Sequence, residues 1–375
     1  MSMRNSWVLA FSAIFGALCF AQAPLQPGGS FHINLPKDSP VTLVAADMGQ
    51  SRAEARGGAM MLDLHTMLTL RNAGKQSIRG ITILVLAQEV TPGGKASVTV
   101  PSLFVAPGEV FPVRIDLRLL RPLATGAGPL VQVALDGVLF DDLTFYGPNR
   151  LNSRRSMTQY ELEARRDRRH FLSTLEASGP EALRRELLSS ISRQADRPRV
   201  DVQVARGARS TAVEPEREVR FAFLRFPGAP VEPVSGIARV SGNEARAPRI
   251  EVLNRSERPI HYLEIGWLVR DRDGREFLAG SVPSDMALAP GQKSHILQQT
   301  ALKFSEHSMP VPVESMTAFV SSVEFSDGKV WIPTRSQLGE PRLQHALAPS
   351  PEEQRLTDLY RKKGLATVVE ELKRR

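Results

Sequence analysis

Hydrophobic and polar residues alternate along most of the chain, and the alternation outlines strands. Leu62, Leu64, Leu68 and Leu70 fall at even spacing, while Asp63, His65 and Thr69 take odd positions. Side chains of a strand point to opposite faces in turn, so this stretch predicts one face in a core and one in water. A first strand is predicted at residues 41–45, and the polar, glycine-containing stretch 48–58 reads as a loop. Further strands are predicted at 78–87, around Val98 and Val100, and at 110–119 through Val113, Ile115 and Leu117. Pro112 cannot donate a ladder hydrogen bond, which puts that last strand at a sheet edge. Residues 131–135, a turn at Asp136 and Gly137, and residues 138–146 read as a closing hairpin.

The pattern then recurs. Asn72 is followed by Ile78, Ile81 and Ile83 and closes on Pro107 and Gly108; Asn254 is followed by Ile260, Leu263 and Ile265 and closes on Pro290 and Gly291. Asn and Gly accept the backbone angles of a tight reversal. The second stretch adds a turn at Asp271-Arg272-Asp273-Gly274 and a hairpin at Asp327-Gly328, matched to Asp136-Gly137. The spacing predicts one β-module used twice.

Apolar periodicity lengthens after each module. Residues 159–177 carry Tyr160, Leu162, Phe171, Leu172 and Leu175; residues 180–191 carry Leu183, Leu187, Leu188 and Ile191 behind Pro180. Both read as helices. At the C-terminus Pro351 opens a helix through Leu356 and Leu359, Gly364 interrupts it, and Val368 and Leu372 continue. Aligning Gly179 with Gly364 brings Leu183 onto Val368, Glu186 onto Glu371 and Leu187 onto Leu372, so the repeat extends to a helical hairpin. The expected fold is mainly β with α: two sandwich modules, at 22–148 and 234–340, each followed by a helical segment, at 149–196 and 341–375. Residues 197–233 are expected to form an extended connector or an extra hairpin.

The N-terminus alters the compartment. Arg4 precedes an apolar run over residues 7–20, with small residues at Ala21 and Ala23, as in a signal peptide. Pro24 disfavours cleavage after Ala23, so the signal is taken as 1–21 and the exported chain as starting at Gln22; an uncleaved anchor is the alternative. The single cysteine, Cys19, lies inside the signal, which leaves the exported part without disulfides or thiolate chemistry. The reading is a periplasmic or secreted bacterial protein.

The net charge of +8 is carried largely by arginine. Arg154, Arg155, Arg165, Arg166, Arg168 and Arg169 crowd into one helical stretch, a candidate surface for an anionic envelope polymer. The plainer reading is a solvated helix face. Nucleic acid is disfavoured by export and by the lack of interleaved exposed aromatics, and a membrane enters only if the signal stays uncleaved.

No motif specifies chemistry. The seven histidines are scattered without metal-ligand spacing, and Val282 stands where a calcium loop opened by Asp271 would need Glu. Ser326 and Lys329 flank turn sequence, where a Ser-x-x-Lys nucleophile needs a helix. Asn254-Arg255-Ser256 is formally a glycosylation sequon, but turn formation explains the asparagine. Hence no catalytic residue, metal ligand or cofactor is expected.

The Asn72 and Asn254 turns, the Asp271–Gly274 hairpin and the Pro-Gly turns at Pro107 and Pro290 resemble those of immunoglobulin-like modules in bacterial envelope proteins, of the adhesion-related and FxLYD types. The first module departs, with Thr91-Pro92-Gly93-Gly94 in place of the acidic hairpin. The resemblance implies immunoglobulin-like sandwiches and a binding or scaffolding role. The expected function is protein binding by an exported, non-enzymatic protein, through strand edges or an apolar stripe of the helical hairpins, with an envelope or secreted protein as partner. Polymer binding through the arginines is the alternative.

Overall fold

The computed structural model describes residues 23–24, 31–89, 92–123, 129–196, 201–206, 215–297, 300–306 and 309–374. The predicted signal segment and His307 lie outside the described residues. The fold is mainly β with a smaller helical part. The chain divides into one unit of residues 1–74, 83–98 and 108–135 and a second of 75–82, 99–107 and 136–375.

In the first unit the long strand Ala59–Asn72 is central. Leu62, Leu64, Leu68 and Leu70 are buried as the alternation requires, joined by Thr66, whose hydroxyl bonds that of Ser51 at 3.0 Å. Val110–Pro122 pairs along its length, with Pro112 opposite Thr69, and takes no second strand among the described residues; the proline had placed it at an edge. On the other side lie Arg52–Arg56 and then Val41–Asp47. The predicted loop at 48–58 is therefore half strand. Its sequence, Arg-Ala-Glu-Ala-Arg, offers no large apolar residue to betray the pairing.

The predicted turn at Asp136-Gly137 is also corrected. Both residues lie inside the continuous strand Val131–Phe140. A Cβ on Gly137 would come within 2.1 Å of the Phe145 ring, so the glycine serves close packing and not reversal. Asp136 instead accepts from the Arg150 amide at 2.8 Å and the Ser153 hydroxyl at 2.6 Å, organising the start of the first helix. The reversal falls at 142–143, where Leu143 has φ 66° and its amide bonds Phe140 O.

In the second unit two sheets close on one apolar core that includes Phe221, Ile250, Trp267, Phe277 and Phe304. One runs in the order Asp201–Arg206, Thr300–Glu306, Glu244–Asn254, Val231–Ser241, Arg217–Arg220; the other Ala222–Leu224, Val313–Phe325, Ile260–Asp271, Glu276–Leu288. The expected connector or hairpin at 197–233 is thus dispersed. Its three strands pair with Thr300–Glu306, Val231–Ser241 and Val313–Phe325, and not with one another. Residues 197–200 and 207–214 lie outside the description.

Among the described residues this unit also holds the helices α1 (Ser153–Asp196), α2 (Pro341–Ala346), α3 (Pro351–Lys363) and α4 (Leu365–Arg374). α1 starts earlier than its apolar pattern because Asn149 accepts from the Arg154 amide and Asp136 holds Ser153. α2, within the helical segment expected at 341–375, lays Leu343 and Ala346 against Leu268 and Phe319. That cover explains why Val313–Phe325 is buried at almost every position instead of alternating. α1 breaks at Gly179 (φ 78°, ψ −179°), and Gly364 between α3 and α4 has φ 81°, ψ 178°. From both sides of each break, Phe171, Leu175, Leu183 and Leu187 pack with Leu356, Val368 and Leu372 in one core. The two apolar stripes, expected to offer a contact surface, cover each other.

Hydrogen bonds at the paired turns match. The Asn72 amide donates to Glu109 O and its carbonyl accepts from Gly108; the Asn254 amide donates to Gln292 O and its carbonyl accepts from Gly291. Ala73 donates to Pro40 O as Arg255 does to Pro230 O. Phe140 donates to Thr144 O as Phe325 does to Lys329 O. Asp327-Gly328 is a turn as predicted, but its counterpart is Asp142-Leu143.

Candidate functional site

Helical periodicity brings Glu161, Arg165 and Arg168 onto one face of α1, and the fold closes other chain segments over it. Glu161 is buried and its Oε1 accepts from Arg165 at 2.8 Å and Arg168 at 2.9 Å, with Arg79 at 3.9 Å. Arg165 also reaches the Asp141 carbonyl, and Arg168 lies 3.4 Å from Glu352. Arg155 donates to Glu324 at 2.7 Å and stacks over Tyr262. Arg166 forms a two-bond fork with buried Asp167 at 2.9 and 3.2 Å. Four of the six candidate arginines are therefore neutralised within the chain, by Glu161 and Asp167 on the same helix and by Glu324 and Glu352 brought in from far along the sequence. Arg154 and Arg169 remain exposed.

Next to this helix lies a cleft of about 550 Å³. It opens where the chain after Gln337–Gly339 and α2 breaks at Leu347, Pro349 and Ser350; α1 is continuous over the corresponding stretch. Proline lacks the donor a helix needs, which accounts for the break. His170 Nε2 stands 3.2 Å from Glu186, and Arg193 and Arg335 approach the same carboxylate at 3.4 and 3.7 Å. Arg335 donates to Glu353 at 2.8 Å, and the Ser190 hydroxyl donates to it at 2.5 Å. Burial pushes the Glu353 carboxyl up, but Arg335, Ser190 and Arg193 outweigh it and hold it below the usual carboxylate range. Glu186 is held down first by its bond from His170. Three arginines here face three carboxylates, Glu186, Glu353 and Asp167. Ser190 is engaged with Glu353, which leaves it poorly placed as a nucleophile activated by His170.

Elsewhere polar groups also satisfy one another. His65 bonds Asp116 at 2.8 Å and lies 3.6 Å from Asp63 on the exposed face of Ala59–Asn72. His261 bonds Phe325 O and approaches Glu324, not Glu264, which takes the Tyr262 and Ser322 hydroxyls instead. Asn254 is buried and donates to Arg258 O and Leu288 O, so the formal sequon is not a glycan site. Asp271 accepts from the Arg275 amide and guanidinium as a turn residue. Among the described residues no three His, Cys, Asp or Glu side chains gather as a metal site, and no helix is long and apolar enough to cross a membrane.

A different feature is unsatisfied. Val41–Asp47 pairs with Ala59–Asn72 on one side only among the described residues, and it exposes Leu43 and Val44 at 40% and 49%. The sequence signalled a strand here but not its edge position, since edge status depends on which strands fail to arrive.

No family model matches the chain, and no curated protein does. Among solved structures it is similar to a hypothetical protein from Peptoclostridium difficile 630, at 13% identity and TM-score 0.23, over 35% of this chain and all of that one. It is also similar to a beta-glucosidase from Kluyveromyces marxianus (10% identity, TM-score 0.16, 73% of this chain and 45% of that chain). A third is red sea bream transglutaminase (8% identity, TM-score 0.13, 76% and 31%). Likeness at this level assigns neither fold family nor function.

Proposed function

We propose that the chain is an exported, non-enzymatic binding or scaffolding protein built from two immunoglobulin-like modules, each followed by a helical hairpin. The matched bonds at Asn72 and Asn254, the matched hairpins after Phe140 and Phe325, and the shared backbone angles at Gly179 and Gly364 support duplication. The signal-like segment before Gln22 supports export to the periplasm or beyond. The observation that carries the binding reading is the open edge of Val41–Asp47 with Leu43 and Val44 exposed. An edge presents unpaired amides and carbonyls that an extended segment of a partner protein completes, while its side chains select the sequence. The hairpin stripes are already covered, which favours the edge over them for apolar contact.

The test is a pull-down from the host's envelope extract at low and high salt, using the tagged chain and a Leu43→Lys/Val44→Lys variant. Lysine on an edge opposes further pairing. The expected result is a stoichiometric protein held by the wild type at high salt and lost from the variant. Retention on insoluble polymer that vanishes with salt and with Arg154→Gln/Arg169→Gln would replace this reading by the arginine one.

A further inference from the structure

A second groove lies in the second unit, on residues separate from the Val41–Asp47 edge. It has a volume of about 720 Å³. Its floor is apolar: Val231 and Val320 are buried, and Phe226, Phe325 and Trp331 present their rings beside them. Its wall is the loop 225–230 with the first residues of the strand Val231–Ser241; it holds Pro227, Pro230 and Pro233 and closes with the Ala229 amide on Phe226 O at 3.1 Å. Proline fixes φ, so the wall is set before any ligand arrives.

Three arginines rim the groove. Arg225 and Arg255 are about six-tenths exposed and share one carboxylate, Glu232: Arg255 Nε donates to it at 2.6 Å and Arg225 approaches at 3.6 Å. Arg258 lies over the Phe325 ring at 4.1 Å and pairs with Asp327. Two guanidiniums on one carboxylate leave a positive excess. Exposed ion pairs hold little energy, so a ligand carboxylate can compete for them.

The framework does not need these charges. The matched bonds to Pro40 and Pro230 equate Ala73 with Arg255 and Gln76 with Arg258; the bond from Ser39 to Pro36 O matches that from Ala229 to Phe226 O and equates Leu35 with Arg225. The first copy closes the same turns with Leu, Ala and Gln. The arginines are thus an addition specific to the second copy, above an apolar floor.

We infer that this groove binds an acidic peptide segment of a partner protein, a bulky apolar side chain entering between Phe226 and Trp331 while flanking carboxylates engage Arg225 and Arg255. This deepens the protein-binding reading by naming the partner's chemistry, but it stands on different residues. The test is fluorescence polarisation of the full chain with labelled nine-residue peptides having a central Phe flanked by Asp and Glu. Lys-flanked and Ala-centred peptides and an acidic oligosaccharide serve as comparisons. The expected result is saturable binding of the acidic Phe peptide, at least about tenfold weaker with either altered peptide. Arg225→Glu/Arg255→Glu should abolish it, with the thermal melt unchanged, whereas Leu43→Lys/Val44→Lys should leave it intact. No saturation by roughly 1 mM, indifference to the charge of the flanks, equal binding of the oligosaccharide, or full binding by the arginine variant would each overturn the inference.

Discussion

Tyr262 shows how one side chain can carry a pH dependence. Its ring lies under Arg155, and its hydroxyl donates to Glu264 at 3.1 Å. Burial, with the Glu264 charge beside it, outweighs Arg155 and pushes the phenol up to about 12. A folded pKa raised above that of the unfolded chain means that the neutral phenol is favoured. The stability it contributes is fully present below about pH 10 and is lost as pH rises towards 12. Phenolate absorbance should therefore show a late step near pH 12 that disappears in Tyr262→Phe, and a single ordinary step in the wild type would refute this environment. Little of it was visible beforehand: the sequence placed Tyr262 on a strand, but Arg155 reaches it from more than a hundred residues away.

At the scale of elements, the two glycine breaks are the most constrained positions in the helical part. Gly179 and Gly364 share φ near 80° and ψ near 180°, a region that essentially only glycine occupies. Gly179→Ala and Gly364→Ala are each expected to lower unfolding free energy by about 1–3 kcal/mol, read from urea denaturation. A loss below a few tenths would show that the helices bend elsewhere. These glycines were legible because both follow an apolar helical run and align when the runs are superimposed. The strands with clean alternation were legible for the same reason. Asp136-Gly137 misled because a glycine that admits a neighbouring ring looks, in sequence, like one that turns the chain. Arg52–Arg56 was obscured because its pairing partner, and not its own residues, makes it a strand. On the arginine face of α1 the partners Glu161 and Asp167 lie on the same helix, whereas Glu324 and Glu352 are brought in by folding and could not be read from the local sequence.

For the whole molecule the decisive arrangement is the mutual covering of the two hairpins. Removing residues 350–375 would uncover Phe171, Leu175, Leu183 and Leu187 together. Contiguous exposed apolar area of that kind promotes association. Light scattering should then show concentration-dependent growth in mass for the truncated chain and none for the full one; equal masses would mean that the stripe is covered by something else. The same arrangement has a kinetic side. Phe171 and Leu356 sit 185 positions apart, with the two sheets of the second unit strung between them. Contacts so remote along the chain close a large loop, and loop closure makes them slow to form. The helical clasp is therefore expected to close late in folding, and a loss of the slowest refolding phase on removing residues 350–375 would check this. During synthesis α1 emerges long before its counterpart, and its apolar stripe waits for the C-terminus, a window in which a chaperone has an obvious client.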